Sequence, residues 1–557
     1  MTLRPSTTPQ RVSLLSPPAS SLPDGPDAES DSLRAASPTI TRFLATAVTD
    51  PSFESTSASA HVAELVEFAA ACRLDYAVSL VAESKSASVC PPSVEDPDAP
   101  DIPTLRSYAE AIEGPYSSQW QTATETEMAS WKSTGTYIDE VPPLGRTSQR
   151  QGVEFFQTFS PTPKMTTLRV LQHVAAQHDY ELHSLDFSTA FLQGSLHEEI
   201  WLRLPPGFTG SFPIGTQRSL RRPVYGLRQA PREWHDRLRT TLAALGFAPS
   251  TADPRLATAD TEALAHVKSE LQKRHTCTDQ GELTSYLGLR ITRDRAQRTI
   301  TLTQSHMVHQ VIQRFGFTYS SPRSTPLPTS HSLSAPPSDE SVEPSGPYPE
   351  LVGCLMYLMT CTRPDLAYPL SILACYVAPG RHGKEHMDAA KRVLRYLCST
   401  SGMGLMLGGR ARVVFTGHAD ASWADDLTMQ WSSQGYTFSL GSGSVSWRST
   451  RSSSVLSSSC EAEIYAGAMV AQELRWLTYL LTDLGEPPRS PPVVYVDKKA
   501  MIALCQEYIL EHRTKHIPPR YFLARELQQH GQLCLAYVAS QANTADVFTK
   551  ALQPCDH

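Results

Sequence analysis

No run of the 557 residues is apolar and long enough to span a bilayer, and the first twenty, MTLRPSTTPQRVSLLSPPAS, hold no apolar core of signal-peptide length. A soluble, intracellular protein with no membrane partner is expected. Cysteine is scattered: the eleven residues form no CxxC pair and keep no regular spacing, which excludes a disulfide framework and a cysteine zinc site and fits a reducing compartment. Positive charge is short as well, with 49 Lys and Arg against 56 Asp and Glu and a net charge of −7. That balance excludes a surface that grips polyanions all over, so any such contact has to be local. Length is not lacking: 557 residues exceed one hydrophobic core, and two or three domains with linkers are expected.

Residues 1–105 are rich in Ser, Pro, Ala and acidic residues, as in SLLSPPASSLPDGPDAESDS and SVCPPSVEDPDAPDIP, and are expected to be largely disordered. One island, SAHVAELVEFAAACRLDYAVSLVAES, sets Val62, Leu65, Val66, Ala69 and Cys72 at helical spacing. A second loop-like stretch, SPRSTPLPTSHSLSAPPSDESVEPSGPYPE, reads as a linker beyond Thr318. After it, EHMDAAKRVLRYLCST puts Met387, Ala390, Val393, Leu394 and Leu397 on one helical face. From Val413 the pattern runs strand VVFTG, strand GYTFSLG, strand SVSW and a long helix, CEAEIYAGAMVAQELRWLTYLL. Strand PVVYVD, helices KKAMIALCQ and YFLARELQQ, and strand QLCLAYV follow. This order predicts a mixed α/β domain whose sheet serves as scaffold.

Four acids fall at the ends of those elements: Asp420 after the first strand, Glu463 with Glu461 in the first turn of the long helix, Asp497 after the fourth strand, and Asp546 near the end. Phosphodiester hydrolysis needs an activated water and a neutralised leaving oxygen, which two magnesium ions about 4 Å apart supply from a bed of carboxylates. Isolated surface acids are common, however, and glutamates in a first helical turn simply favour the helix dipole. On spacing alone that plainer reading has the better odds.

The surrounding words change them. HADASWA, GYTFSLGSGSVSWRSTRSSSVLSSSCEAEIYAGA, YVDKKAMIAL, HRTKHIPPRYFLARE and ANTADVFTKAL together, and in this order, resemble the RNase H domain of copia-type retrotransposons. The resemblance implies that Asp420, Glu463, Asp497 and Asp546 bind Mg2+ or Mn2+, with Glu461 as the rival to Glu463. It also implies an RNA–DNA hybrid as substrate. One departure is visible: Lys498 stands where the family usually has Asn, and a lysine there would compete for the Asp497 carboxylate. His512 and His516 sit where a histidine would assist product release, or are surface histidines of a basic loop. Trp447, Arg448 and Arg451 suit a nucleic-acid strand, although the alternation of their strand also allows Trp447 to be core.

Upstream, HSLDFSTAFLQGSLHEEIWLRLPPGF resembles the first catalytic motif of copia-type reverse transcriptases, with Asp186 as a metal-binding acid and Phe191 as the aromatic that excludes a 2′-hydroxyl. RRPVYGLRQAPREWHDRL, with Tyr225, Gln229, Pro231 and Trp234, resembles the next word and implies that Gln229 lies near the incoming nucleotide. The paired-aspartate hairpin that supplies the remaining metal ligands is missing: Pro254 is followed only by Arg255, Leu256 and Ala257 before the next helix, and Asp253 and Asp260 do not replace it. The basic strand pair expected after Arg146 to Arg150 is missing too. These losses predict a polymerase that does not turn over and sheet edges without partners. The resemblance covers roughly Tyr108 to Ala551. It implies an α/β and α+β multidomain chain: a disordered segment over 1–105, an incomplete reverse-transcriptase palm and fingers over 106–318, a linker and connection region over 319–410, and an RNase H-like domain over 411–557. Template RNA and primer are implied as partners, and a cytoplasmic particle or the nucleus as location.

Overall fold

The computed structural model describes residues 10–16, 41–45, most of 113–138 and most of 164–553. The helical island of 59–84, the junction at 146–152, Tyr225, Asp260, Asp426, His512 and His516 lie outside the described residues. Among those described, no helix is long and apolar enough to cross a membrane. The chain divides into two compact units, one drawn from residues 1–56, 86–163 and 180–283 and the other from 57–85, 164–179 and 284–557.

In the first unit the central strand is Glu181–Phe187, and the helix Ala230–Ala244 packs in its core. Pro231 and Glu233 open that helix favourably, and Ala230, Trp234, Leu238, Thr241 and Leu242 recur on its buried side. Trp234 meets Phe187 at a ring separation of 5.2 Å within a core that also holds Leu185, Phe191, Val267 and Leu271. His275 is a core histidine here. Its ring bonds Thr241 and Gln193 and lies edge-on to Trp234, and burial pushes its pKa down to about 4.

The sheet of this unit has six strands. Its order is Ala248–Pro249, Leu256–Ala259, Thr41–Ala45, Gln10–Ser16, Glu181–Phe187, Cys277–Glu282. Glu181–Phe187 therefore has antiparallel partners on both sides, with Asp186 opposite Arg11 and Thr278. Within residues 1–105, Gln10–Ser16 pairs with Glu181–Phe187, and Thr41–Ala45 pairs with Gln10–Ser16 and Leu256–Ala259. Their sequences, QRVSLLS and TRFLA, have the β-branched and aromatic content of strands, and pairing satisfies backbone groups that an open edge leaves unbonded.

The second unit contains a four-stranded antiparallel sheet, Ser285–Tyr286, Leu289–Asp294, Thr299–Thr303 and Gly404–Gly408. The helices Tyr348–Cys361 and Lys384–Ser399 show that much of the region between the linker and Val413 is folded. The second sheet has five strands: β1 (Phe415–Ser422), β2 (Ser433–Leu440), β3 (Gly443–Arg451), β4 (Val493–Val496) and β5 (Cys534–Tyr537). Their order is β3-β2-β1-β4-β5, antiparallel among the first three and parallel from β1 to β4 to β5. The long helix α1 (Ser459–Asp483) connects β3 to β4, the kind of crossover that a parallel pair requires. Its small residues Ala462, Ala466, Gly467 and Ala471 are buried, which lets the helix backbone lie close to its neighbours.

Candidate metal centre

Asp420 is the sixth residue of β1, so the parallel neighbour β4 ends beside it and delivers Asp497 one residue past Val496. Helix α1 brings Glu463 from above. Carboxylate oxygens of Asp420, Glu463 and Asp497 lie within 4.8 Å of one another, the only such group of three among the described residues. All three are withdrawn from water, Asp420 to 1% exposure and Glu463 to 2%, with the Asp497 side chain at 6%. Burial, then the charges of Asp420 and Asp497, push the Glu463 carboxyl up to about 9.

The fourth acid arrives on a one-turn 3-10 helix, Thr544–Phe548. Asn543 caps that turn by accepting from the Ala545 N–H at 3.2 Å and anchors it by donating to the Ala419 carbonyl at 2.9 Å. A close approach to the sheet makes this possible. Gly435 stands opposite Asp420 on β2, and a Cβ there would lie 2.5 Å from Phe548 Cβ. Asp546 is then joined to Asp420 through Lys550, whose Nζ lies 3.0 Å from Asp546 Oδ1 and 3.2 Å from Asp420 Oδ2. The Thr549 hydroxyl also donates to Asp420. Burial, then Asp420, raises the Asp546 carboxyl above its ordinary value despite Lys550.

Glu461 points elsewhere. Its Oε2 accepts from both the N–H and the hydroxyl of Ser457 at 2.7 Å, and its own N–H bonds the capping hydroxyl of Ser458. Both carboxylate oxygens of Glu463, by contrast, are buried with no hydrogen-bond partner, as is Oδ1 of Asp497. Buried charge without partners is unfavourable unless a cation compensates it, and converging carboxylate oxygens are the ligands a hard divalent ion takes. The residues present fit such an ion. Lys498 Nζ lies 3.8 Å from Asp497 on a side chain 46% exposed, so its pull is weak and screened.

Other residues singled out in the sequence fall away from this centre. Trp447 is 8% exposed with the Arg169 guanidinium 3.9 Å above its ring, so it is core and not an open stacking surface. In the first unit Asp186, next to last in its strand, lies outside any described three-ligand group. Phe191 is 3% exposed inside the hydrophobic core. Gln229 sits at the N-cap of Ala230–Ala244, fully buried, with neither amide atom hydrogen-bonded. Asp253 closes a local turn by accepting from the Arg255 N–H at 3.0 Å. Asp425, of the adjacent pair in SWADDLT, accepts from the Ser433 N–H and hydroxyl. The sequence reading missed Asn543, Thr549 and Lys550. The word ANTADVFTK held the signal, since Asn before a turn caps it and a Lys four residues after an Asp reaches back to it.

Comparison with known proteins agrees with the motif reading. A family model described as reverse transcriptase (RNA-dependent DNA polymerase) matches residues 145–256. The Pol polyprotein of transposon TNT 1-94 from Nicotiana tabacum is 31% identical over 80% of this chain, and that of transposon RE2 from Arabidopsis thaliana is 33% identical over 73%. The chain belongs to the copia-type retrotransposon Pol polyproteins. It spans 38% of the length of the first relative and 29% of the second. A solved foamy viral protease-reverse transcriptase in complex with dsDNA matches over 86% of this chain and 97% of that chain, at 13% identity and a TM-score of 0.41. In this copia-type chain the matched family segment contains Asp186, Phe191 and Gln229.

Proposed function

We propose that this chain cleaves the RNA strand of RNA–DNA hybrids in a reaction dependent on Mg2+ or Mn2+, and that its polymerase half does not extend primers. On this reading residues 411–557 form the nuclease domain, residues 106–318 an incomplete polymerase domain and residues 319–410 the linker and connection between them. The observation that carries the reading is the convergence of Asp420, Glu463 and Asp497, buried, with unpartnered oxygens on the latter two. A bound divalent ion supplies the Lewis acidity that lowers the pKa of water and neutralises the leaving oxygen. Asp420, Glu463 and Asp497 would hold it, and Asp546 would complete the acidic wall. Thr549 and Lys550 fix the Asp420 carboxylate, and Asn543 holds the turn that presents Asp546, so the ligands are positioned before any ion arrives.

The same logic argues against DNA synthesis. Transfer to a primer 3′ end needs several carboxylates around the metal ions. Asp186 lacks the paired aspartates of its family, while Asp253 is engaged in its own turn. Template RNA and primer remain partners by family only.

A second reading, a remnant that binds nucleic acid without cutting it, is favoured by Lys498 beside Asp497. Labelled RNA annealed to DNA, incubated with the full chain and either Mg2+, Mn2+ or EDTA, separates the two. Metal-dependent shortening of the RNA supports the nuclease; salt-sensitive binding with intact RNA under every condition supports the remnant.

A further inference from the structure

We propose that Arg295, Arg298 and Arg410 line a cleft that binds the phosphodiester backbone of a nucleic-acid strand, outside the carboxylate centre. The proposal goes beyond the nuclease reading and holds whether or not the carboxylates cut. These arginines, with Asp179 and Ala296, surround an open cleft of about 470 Å³ in the second unit. Arg295 and Arg298 stand on the turn between the strands Leu289–Asp294 and Thr299–Thr303. Asp179 is the C-cap of the helix Met165–His178, and Arg410 follows the strand Gly404–Gly408.

Three backbone segments have to meet for these side chains to converge, and Gly408 permits it. Its φ is +89°, and a Cβ there would clash with the Arg298 carbonyl oxygen and with Ala176 Cβ. The Gly409 N–H bonds that Arg298 carbonyl at 2.7 Å. Arg410 then donates from Nε and Nη2 to the Ala296 carbonyl, the former at 2.8 Å, and Arg298 donates from Nη1 to the Gln177 carbonyl at 3.0 Å. Backbone carbonyls thus aim both guanidinium groups without neutralising them. Among the described residues, neither Arg298 nor Arg410 has a carboxylate partner.

The nearby acids are engaged elsewhere. Asp179 accepts from Arg293 at 2.6 Å and from Arg295 at 3.0 Å, Asp294 accepts from the Gln297 N–H, and Glu486 is paired with His178. Capping the last carbonyls of the helix Met165–His178 is the plainer role for Arg298, but it uses one nitrogen of a group that carries five N–H donors. Nor does the turn itself call for arginine: Arg298 holds a φ of 55°, a conformation that Gly or Asn adopts more readily. Exposed planar forks side by side match phosphate oxygens bidentately. An open cleft suits a continuous backbone better than one enclosed phosphate compound, and it gives a chain of net charge −7 the local positive contact that a polyanion requires.

The test is binding of a fluorescently labelled single-stranded DNA oligonucleotide to the full chain in EDTA, followed by anisotropy across a salt series. R298Q/R410Q should bind roughly tenfold more weakly than wild type and lower the slope of log affinity against log salt by about 1.4, the share of two phosphates on a single strand. R314Q/R489Q, which removes two arginines elsewhere, should match wild type. A folded R298Q/R410Q with unchanged affinity and slope overturns the proposal, as does an equal drop in both variants. Modification of wild type with phenylglyoxal, mapped by peptide mass, needs no variant. The oligonucleotide should protect Arg298 and Arg410, and equal modification with and without it overturns the proposal even if R298Q/R410Q fails to fold. Protection by inorganic phosphate or a nucleoside triphosphate, with none by the oligonucleotide, assigns the cleft to free phosphate compounds and overturns it too. None of these readouts involves cleavage, so this proposal and the nuclease reading fail separately.

Discussion

Glu461 and Ser457 are locked together at the entrance to the long helix, the carboxylate accepting from both the N–H and the hydroxyl of Ser457 at 2.7 Å. That engagement frees Glu463, one half-turn on, to face Asp420 and Asp497. The two glutamates should therefore fail in different ways. Glu461→Ala is expected to lower stability by about 1 kcal/mol, as loss of a helix-start bond does, and to keep hybrid cleavage. Glu463→Gln is expected to abolish cleavage while the metal-free protein melts no lower than wild type. Chemical denaturation and a cleavage assay on both variants check this, and loss of cleavage confined to the Glu461 variant would reverse the assignment.

The raised Glu463 carboxyl makes metal-free stability depend on pH in a stated direction. The unfolded chain releases this proton near 4.5, whereas the folded centre keeps it to about 9, so folding takes up a proton between those values and stability falls as pH rises. Buried histidines such as His173 and His275, held near 4, act with the opposite sign below about 6.5. The clean window is thus pH 7 to about 9. Melting temperature without metal should decline across it, and both Glu463→Gln and added Mg2+ should flatten the decline. An equal slope in wild type and variant would contradict the centre as described.

Lys498 is the chain's own departure at this site. Its ammonium is half exposed and 3.8 Å from Asp497, so its competition with a metal ion is worth under about 1 kcal/mol. Lys498→Asn should accordingly lower the Mg2+ concentration for half-maximal cleavage by no more than roughly fivefold. Restoration of activity from nothing by this one change would mean that the lysine blocks the site outright.

Much of the centre was legible because its acids stand at element ends within dense family words. Asp420, Glu463, Asp497 and Asp546 were all placed by motif, and the alternation of GYTFSLG and SVSW gave β2 and β3. The choice between Glu461 and Glu463 was not legible, since SSCEAE offers both at the first turn and only the bond to Ser457 separates them. Lys550 escaped notice because its role depends on Gly435 letting Phe548 approach the sheet, a contact between residues more than a hundred apart in sequence. In the first unit the pairing of Gln10–Ser16 with Glu181–Phe187 was unreadable for the same reason: strand partners are chosen across the chain, while low-complexity surroundings mask short strand-like words.

Polymerase assays test the other half. Full-length chain on primed RNA with all four nucleotides and Mg2+ or Mn2+ should leave the primer unextended, because Asp186 has no paired aspartates to share a metal with. Buried Gln229, with its amide unbonded, offers no substitute for a carboxylate. Extension by even a few nucleotides would show that another acid completes the site.

The most direct measurement of the central claim is cleavage of labelled RNA in an RNA–DNA hybrid by wild type and Asp497→Asn, with folding of both followed by circular dichroism. The wild type should shorten the RNA in Mg2+ or Mn2+ and leave it intact in EDTA, and the variant should fold alike and lose at least about a hundredfold in rate, as removal of a metal-centre group does. Cleavage retained by a folded Asp497→Asn protein would contradict the carboxylate centre as the seat of the activity.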